Sequence, residues 1–347
     1  MTDTTAAPAT TDSSFTPLAL RAFALSVVAV AFLFVLNNYL IFWRDWPGLS
    51  NLFAHVSWFG FDALRTPLSG GTLTLAWVQL ASYPVIVLAV IGFVVSTPQR
   101  LMHEEAARLG AIAAYIVRAA FWAVFIVGIS DAVISFLRVE GLLGAIVGAD
   151  LEKQLGISRV RGAYVHMPLI AVACVIAYFV RTLGFTWLAL LVVVAELQIV
   201  IARFVFSYEQ AFMGDLVRFW YAGLFLLASA YALVEEGHVR VDVVYAGFGA
   251  RGKAWTNVLG CLFLGAPLCW VIISLGMWSK AAVINSPILS FEVTQAGFGM
   301  FVKYLMAGFL AVFALSMLTQ FMNYFLANAA ELREEPGRPK RPDGLND

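Results

Sequence analysis

This chain has little charge. Asp, Glu, Lys and Arg make up 13% of its 347 residues, against roughly 25% in an ordinary soluble domain, so a water-soluble globule is excluded. The 22 basic and 22 acidic side chains cancel, which leaves no basic field for nucleic acid and no polybasic lipid anchor. Cysteine is scarcer still. Cys174, Cys261 and Cys269 all fall inside apolar runs and read as small core residues, not as a disulfide framework or a metal site. Of His55, His103, His166 and His238 only His166 lies inside an apolar run, near its end. One such histidine cannot supply the facing pair that a membrane haem needs. No HExxH, GxSxG or GxxxxGK[ST] occurs, so no zinc protease, serine hydrolase or phosphate loop is read. The expectation is a protein that is not an enzyme and carries no cofactor. No internal repeat or pair of Gly/Pro-interrupted helices marks an alternating-access transport path.

What is present is hydrocarbon. Hydrophobic residues account for 61% of the chain and the mean hydropathy is +0.84. The apolar runs do not alternate with polar residues, which excludes a membrane β-barrel. They lie at about Leu18–Trp43, Thr72–Ser96, Leu109–Leu137, Ala163–Arg181, Phe185–Phe206, Leu216–Val234, Trp255–Trp278 and Phe298–Leu326. A backbone in lipid satisfies its own hydrogen bonds as helices of about 20 residues, so the fold class is an all-α polytopic membrane protein with about eight transmembrane helices. The fourth and fifth runs are separate spans joined by a tight turn at Arg181-Thr182-Leu183-Gly184, because one helix through both would be twice the bilayer core. The first 17 residues, rich in Thr, Ala and Pro, read as a disordered tail before an uncleaved first span.

Basic residues set the expected topology. With both termini cytoplasmic, eleven Lys and Arg lie inside and six outside, once the loop Arg138–Gly162 and the in-span Arg118 are set aside. Two outer loops hold more than a turn. Trp43 to Pro67 carries Trp43, Trp46, Phe53, Trp58, Phe59 and Phe61, which suits an interfacial segment. Gly141–Ile157 is too short in its apolar part to span and reads as a surface-lying amphipathic piece.

Ionisable residues inside spans are the remaining candidates, since each is costly in lipid unless partnered. They are Glu196, with Arg203 seven residues later on the same helical face, and Arg118 and Asp131 in the third run. Glu196 reads as an ion or proton site or as a helix-to-helix or subunit-to-subunit contact, and the absence of broken helices favours the contact.

One stretch concentrates charge. Tyr231 to Tyr245, YALVEEGHVRVDVVY, holds five ionisable side chains where one helix ends and the next begins. Gly237 suits the helix C-terminus. The two carboxylates before it oppose the helix dipole unless cations answer them, and His238 and Arg240 are the nearest.

With the runs around it, this stretch resembles the small membrane subunit of tripartite ATP-independent periplasmic (TRAP) transporters. The resemblance covers Phe185 to about Leu326: AELQIVIARFVF (Ala195–Phe206), MGDLVRFWYAGLFLLASAYALVEEGHVRVD (Met213–Asp242), a third helix, and a last helix entered through a polar loop. The ending Gly237, His238, Val239, Arg240, Val241, Asp242 matches the family pattern. The start of that block departs from it, with Met213, Gly214 and Asp215 where Trp, a small residue and an acid are usual. The resemblance implies Arg203, Asp215, Gly237, His238, Arg240 and Asp242 as assembly or family-motif residues. It divides the chain into a tail (1–17), an extension of about four membrane helices (18–183), a four-helix small-subunit core (184–330) and a polar cytoplasmic tail (331–347). It further implies a multi-pass protein of the bacterial inner membrane. Its partners would be a large TRAP membrane subunit that moves organic acids on an ion gradient and a periplasmic substrate-binding protein, with the lipid bilayer around them. The alternatives are a self-contained transporter or channel and, behind it, a membrane redox subunit.

Overall fold

The structure is a computed structural model that describes residues 15–181, 185–234, 243–293 and 298–335. Among them every regular element is helical: α1 Phe15–Trp43, α2 Gly48–His55, α3 Gly70–Ser96, α4 Met102–Val139, α5 Leu143–Val147, α6 Ala149–Leu155, α7 Ser158–Phe179, α8 Phe185–Phe206, α9 Ala211–Val234, α10 Val243–Ala246, α11 Ala250–Met277, α12 Asn285–Ser290 and α13 Lys303–Leu332. Eight of these, α1, α3, α4, α7, α8, α9, α11 and α13, are long and apolar enough to cross a membrane, one for each apolar run. The aromatic loop contains α2, and 141–157 forms the short helices α5 and α6.

Several boundaries move, among them the starts of the third and last spans. The helix of the third run begins at Met102, not Leu109, because its first turns, carrying His103, Glu104 and Glu105, remain helical while polar. At 38 residues α4 is about 57 Å long at 1.5 Å per residue, well beyond a hydrocarbon core of about 30 Å. The last helix begins at Lys303, not Phe298. The residues before it, Met300 to Val302, are buried but not helical.

The long helices α4 and α13 form the central pair, and both pass through two apolar cores. One starts at the near end, where α4 begins, and gathers Ala24 and Val28 of α1, Met102, Ala106 and Leu109 of α4, and Cys269 and Ile273 of α11 around Leu318, Met322 and Phe325 of α13. Toward the far end, Val117, Phe121 and Val124 of α4 meet Leu188 and Ala195 of α8 and Phe219, Trp220 and Leu227 of α9, with Met300, Val302 and Phe309. Polar groups secure the remaining helices. Asn38 of α1 donates to the Met277 carbonyl that ends α11 at 2.7 Å. Gln79 of α3 accepts from the Gly48 amide at 2.9 Å, tying α2 to the far end.

Close helix contacts need small residues. A Cβ on Gly128 would lie 2.3 Å from Trp220 Nε1, an indole that donates to the Val124 carbonyl at 3.2 Å. Gly128→Ala must therefore displace α9 from α4, costing about 1–3 kcal/mol. The measurement is the thermal unfolding midpoint in detergent, expected to fall; a midpoint equal to that of the parent chain would refute this packing.

Candidate functional site

The most densely connected polar group lies near the far end of the α4–α7 hairpin. Asp131 stands eight residues before the end of α4; Arg161 and His166 stand three and eight residues after the start of α7. Antiparallel packing brings them to one depth, and all three are fully buried. In a regular α-helix, residues five apart point about 140° away from each other. Here Gly162–His166 is a π-turn, whose wider winding brings side chains at i and i+5 toward one side. Gly162 also admits the ring of Phe291, since a Cβ there would sit 2.2 Å from it.

The result is a shared carboxylate. Asp131 Oδ1 accepts from Arg161 Nη1 and from His166 Nε2, each at 3.0 Å. Asp131 Oδ2 accepts the backbone N–H of Phe301 at 2.7 Å. The guanidinium also donates to Ser135 Oγ at 3.1 Å and to the Leu155 carbonyl at 2.9 Å, and lies 4.0 Å over the Phe301 ring. With Nε2 donating to Asp131, the neutral ring leaves Nδ1 to accept the hydroxyl of Tyr304, 2.8 Å away and fully buried.

This geometry answers a backbone problem. Non-helical backbone at membrane depth needs acceptors that a helix would have supplied. The Phe301 amide finds Asp131, and the Met300 amide finds Asp215 Oδ2 at 3.0 Å. Ser135 Oγ donates to the Gly299 carbonyl at 3.4 Å. The non-helical stretch entering α13 is thus held between a carboxylate of α4 and a carboxylate of α9.

A second cluster closes the near end. Buried Arg21 of α1 donates to Glu105 Oε1 at 3.0 Å and to the Thr97 carbonyl and hydroxyl at 2.9 and 3.0 Å. The carboxylate of Glu335, just past α13, accepts the Met102 and His103 amides at 2.9 and 3.2 Å. An acid on a helix N-terminus is a favourable pairing. At the opposite end of α4, Tyr208, in the turn between α8 and α9, donates to Glu140 Oε1 at 2.7 Å. Partial burial and the Glu140 carboxylate push the Tyr208 hydroxyl up to about 12.

The residues singled out in the sequence fall into three groups. Asp215 and Asp131 come together on the α13 entry. Arg203 Nε meets Glu209 Oε2 at 3.4 Å, both exposed, and not Glu196. Glu196 is exposed on α8, and Arg118 is half-buried on α4. Gly237, His238, Arg240 and Asp242 lie outside the described residues. Arg161 and His166 were missed as partners of Asp131, and Tyr304 as the partner of His166. The signal available was depth: an acid near the end of one span, with a base and a histidine at the start of the next. Among the described residues no three His, Cys, Asp or Glu converge as metal ligands.

Residues 189–329 match the family described as tripartite ATP-independent periplasmic transporters, DctQ component. This segment is similar to DctQ components. It takes in most of α8, α9, α11 and α13, four of the eight helices long and apolar enough to cross a membrane. No curated protein and no solved structure matches the chain. Within the matched segment lie Asp215 and the α13 entry; Asp131, Arg161 and His166 belong to the helices that precede it.

Removing one partner of a buried ion pair strands the other and costs about 3–5 kcal/mol, whereas replacing both by apolar residues of similar volume is near neutral. Asp131→Ala and Arg161→Ala should each lower the unfolding midpoint strongly, and the double variant Asp131→Ala/Arg161→Ala should lose less than the sum of the two. Simple additivity of the two single losses in a double-mutant cycle would contradict the pairing.

Proposed function

We propose that this chain is the static small permease subunit of its transporter, bracing a larger membrane subunit that moves organic acids on an ion gradient. A periplasmic binding protein delivers the substrate, both termini face the cytoplasm, and the complex sits in the bacterial inner membrane. The observation that carries this reading is where the buried charge goes. Asp131, Arg161 and His166 are committed to one another and to backbone, and Arg21 and Glu105 to each other and Thr97. Groups so committed hold helices together, whereas a transport path needs groups available to a passing ion.

In this account the helices before the DctQ segment are part of the brace, because α4 contributes to both cores and holds the α13 entry. Two outcomes follow. The chain reconstituted alone in vesicles should catalyse no uptake; uptake should appear when the larger subunit and the binding protein are added. A chain starting at Phe185 should lose both capture of the larger subunit and uptake. Uptake by the chain alone would refute the scaffold role, and full uptake with the truncated chain would refute the role of α4.

A further inference from the structure

The helix α8 differs from the rest of the bundle. It packs chiefly on α9 through Leu188 and Ala195, and a cleft of about 430 Å³ lined by Ile129, Phe136, Gln198 and Trp220 separates it from α4. Its outward residues are apolar: Val193 is 61% exposed, Leu197 54% and Val200 47%. In a bilayer that needs no explanation, since lipid covers apolar side chains as well as protein does. Glu196 is different. It sits in the middle of this face, exposed, about 15 Å along the axis from either end of α8, too far for a short acidic side chain to reach the headgroups. Among the described residues it has neither a hydrogen bond nor an ion pair, and Arg203 is engaged by Glu209.

We infer that the Glu196 face of α8 docks a transmembrane helix of the larger permease subunit, one that presents an Arg or Lys side chain at mid-bilayer depth to Glu196. The inference rests on the proposed function above and adds the surface and the chemistry of the contact. Lipid tails supply no donor at that depth. A second copy of this chain is the poorer occupant, because a twofold axis in this face sets Glu196 against Glu196 and like charges repel. A partner helix carrying a base satisfies the acid and covers Val193, Leu197 and Val200 together.

The experiment is affinity capture of the larger subunit, coexpressed with the tagged full-length chain and solubilised in mild detergent. Glu196→Lys should reduce capture at least about tenfold, Glu196→Gln much less because the amide still accepts a hydrogen bond. The purified Glu196→Lys chain should keep its helical circular dichroism and unfolding midpoint, since the side chain has no partner within the bundle. A Val193→Cys chain bearing a short photocrosslinker should label the larger subunit. Undiminished capture by Glu196→Lys, or labelling confined to lipid or to a second copy of this chain, overturns the inference while leaving the scaffold role intact. Absence of capture by the unaltered chain overturns the proposed function itself, and this inference with it.

Discussion

The carboxylate of Asp131 is where the fold of this protein is tied. It neutralises Arg161, orients His166 and supplies the acceptor for the Phe301 amide, so one side chain of α4 fixes both the start of α7 and the entry to α13. Buried ion pairs contribute little net stability compared with apolar packing of the same volume. What this one contributes is position. Without an acceptor at that point, the non-helical stretch Met300–Val302 would have an unpaired amide in the interior, and the start of α13 would lose its register against α4.

The same economy holds at the near end, where Arg21, Glu105, Thr97 and Glu335 bind α1, α3, α4 and the end of α13 around the first turn of α4. Between the two polar ends, α4 and α13 meet mostly through apolar and small side chains, with Asn323 of α13 set against Gly110 of α4. Charge at the ends and hydrocarbon in the middle suit a rigid member of a membrane complex, since lipid gives no hydrophobic drive between helices and close packing with polar links must hold them. The exception is α8, whose exposed Glu196 faces away from the bundle that the buried charges serve.

Much of the architecture was legible in the sequence, because the requirement that a backbone in lipid satisfy itself leaves helices as the only reading of eight long apolar runs. The boundary errors have physical causes. Phe298–Val302 is apolar and so reads as helix, yet its amides are taken by Asp131 and Asp215; polar His103–Glu105 reads as loop, yet Glu335 caps it as helix. The site was less legible. Asp131 was visible as an in-span acid, but its partner Arg161 sat in a stretch set aside as a loop, and only the π-turn at Gly162–His166 brings Arg161 and His166 to one carboxylate. Glu196 and Arg203 share a periodicity, but Glu209 in the following turn competes for the arginine, and periodicity within one helix does not report on that.

The central claim, that two carboxylates from different helices hold the entry to α13, is tested most directly by site-resolved hydrogen exchange of the Met300 and Phe301 amides. In the purified chain both should be protected like amides inside α13. In Asp131→Ala the Phe301 amide should lose protection while Met300, held by Asp215, keeps it. Exchange of the Phe301 amide in the unaltered chain at the rate of an exposed amide would contradict the account.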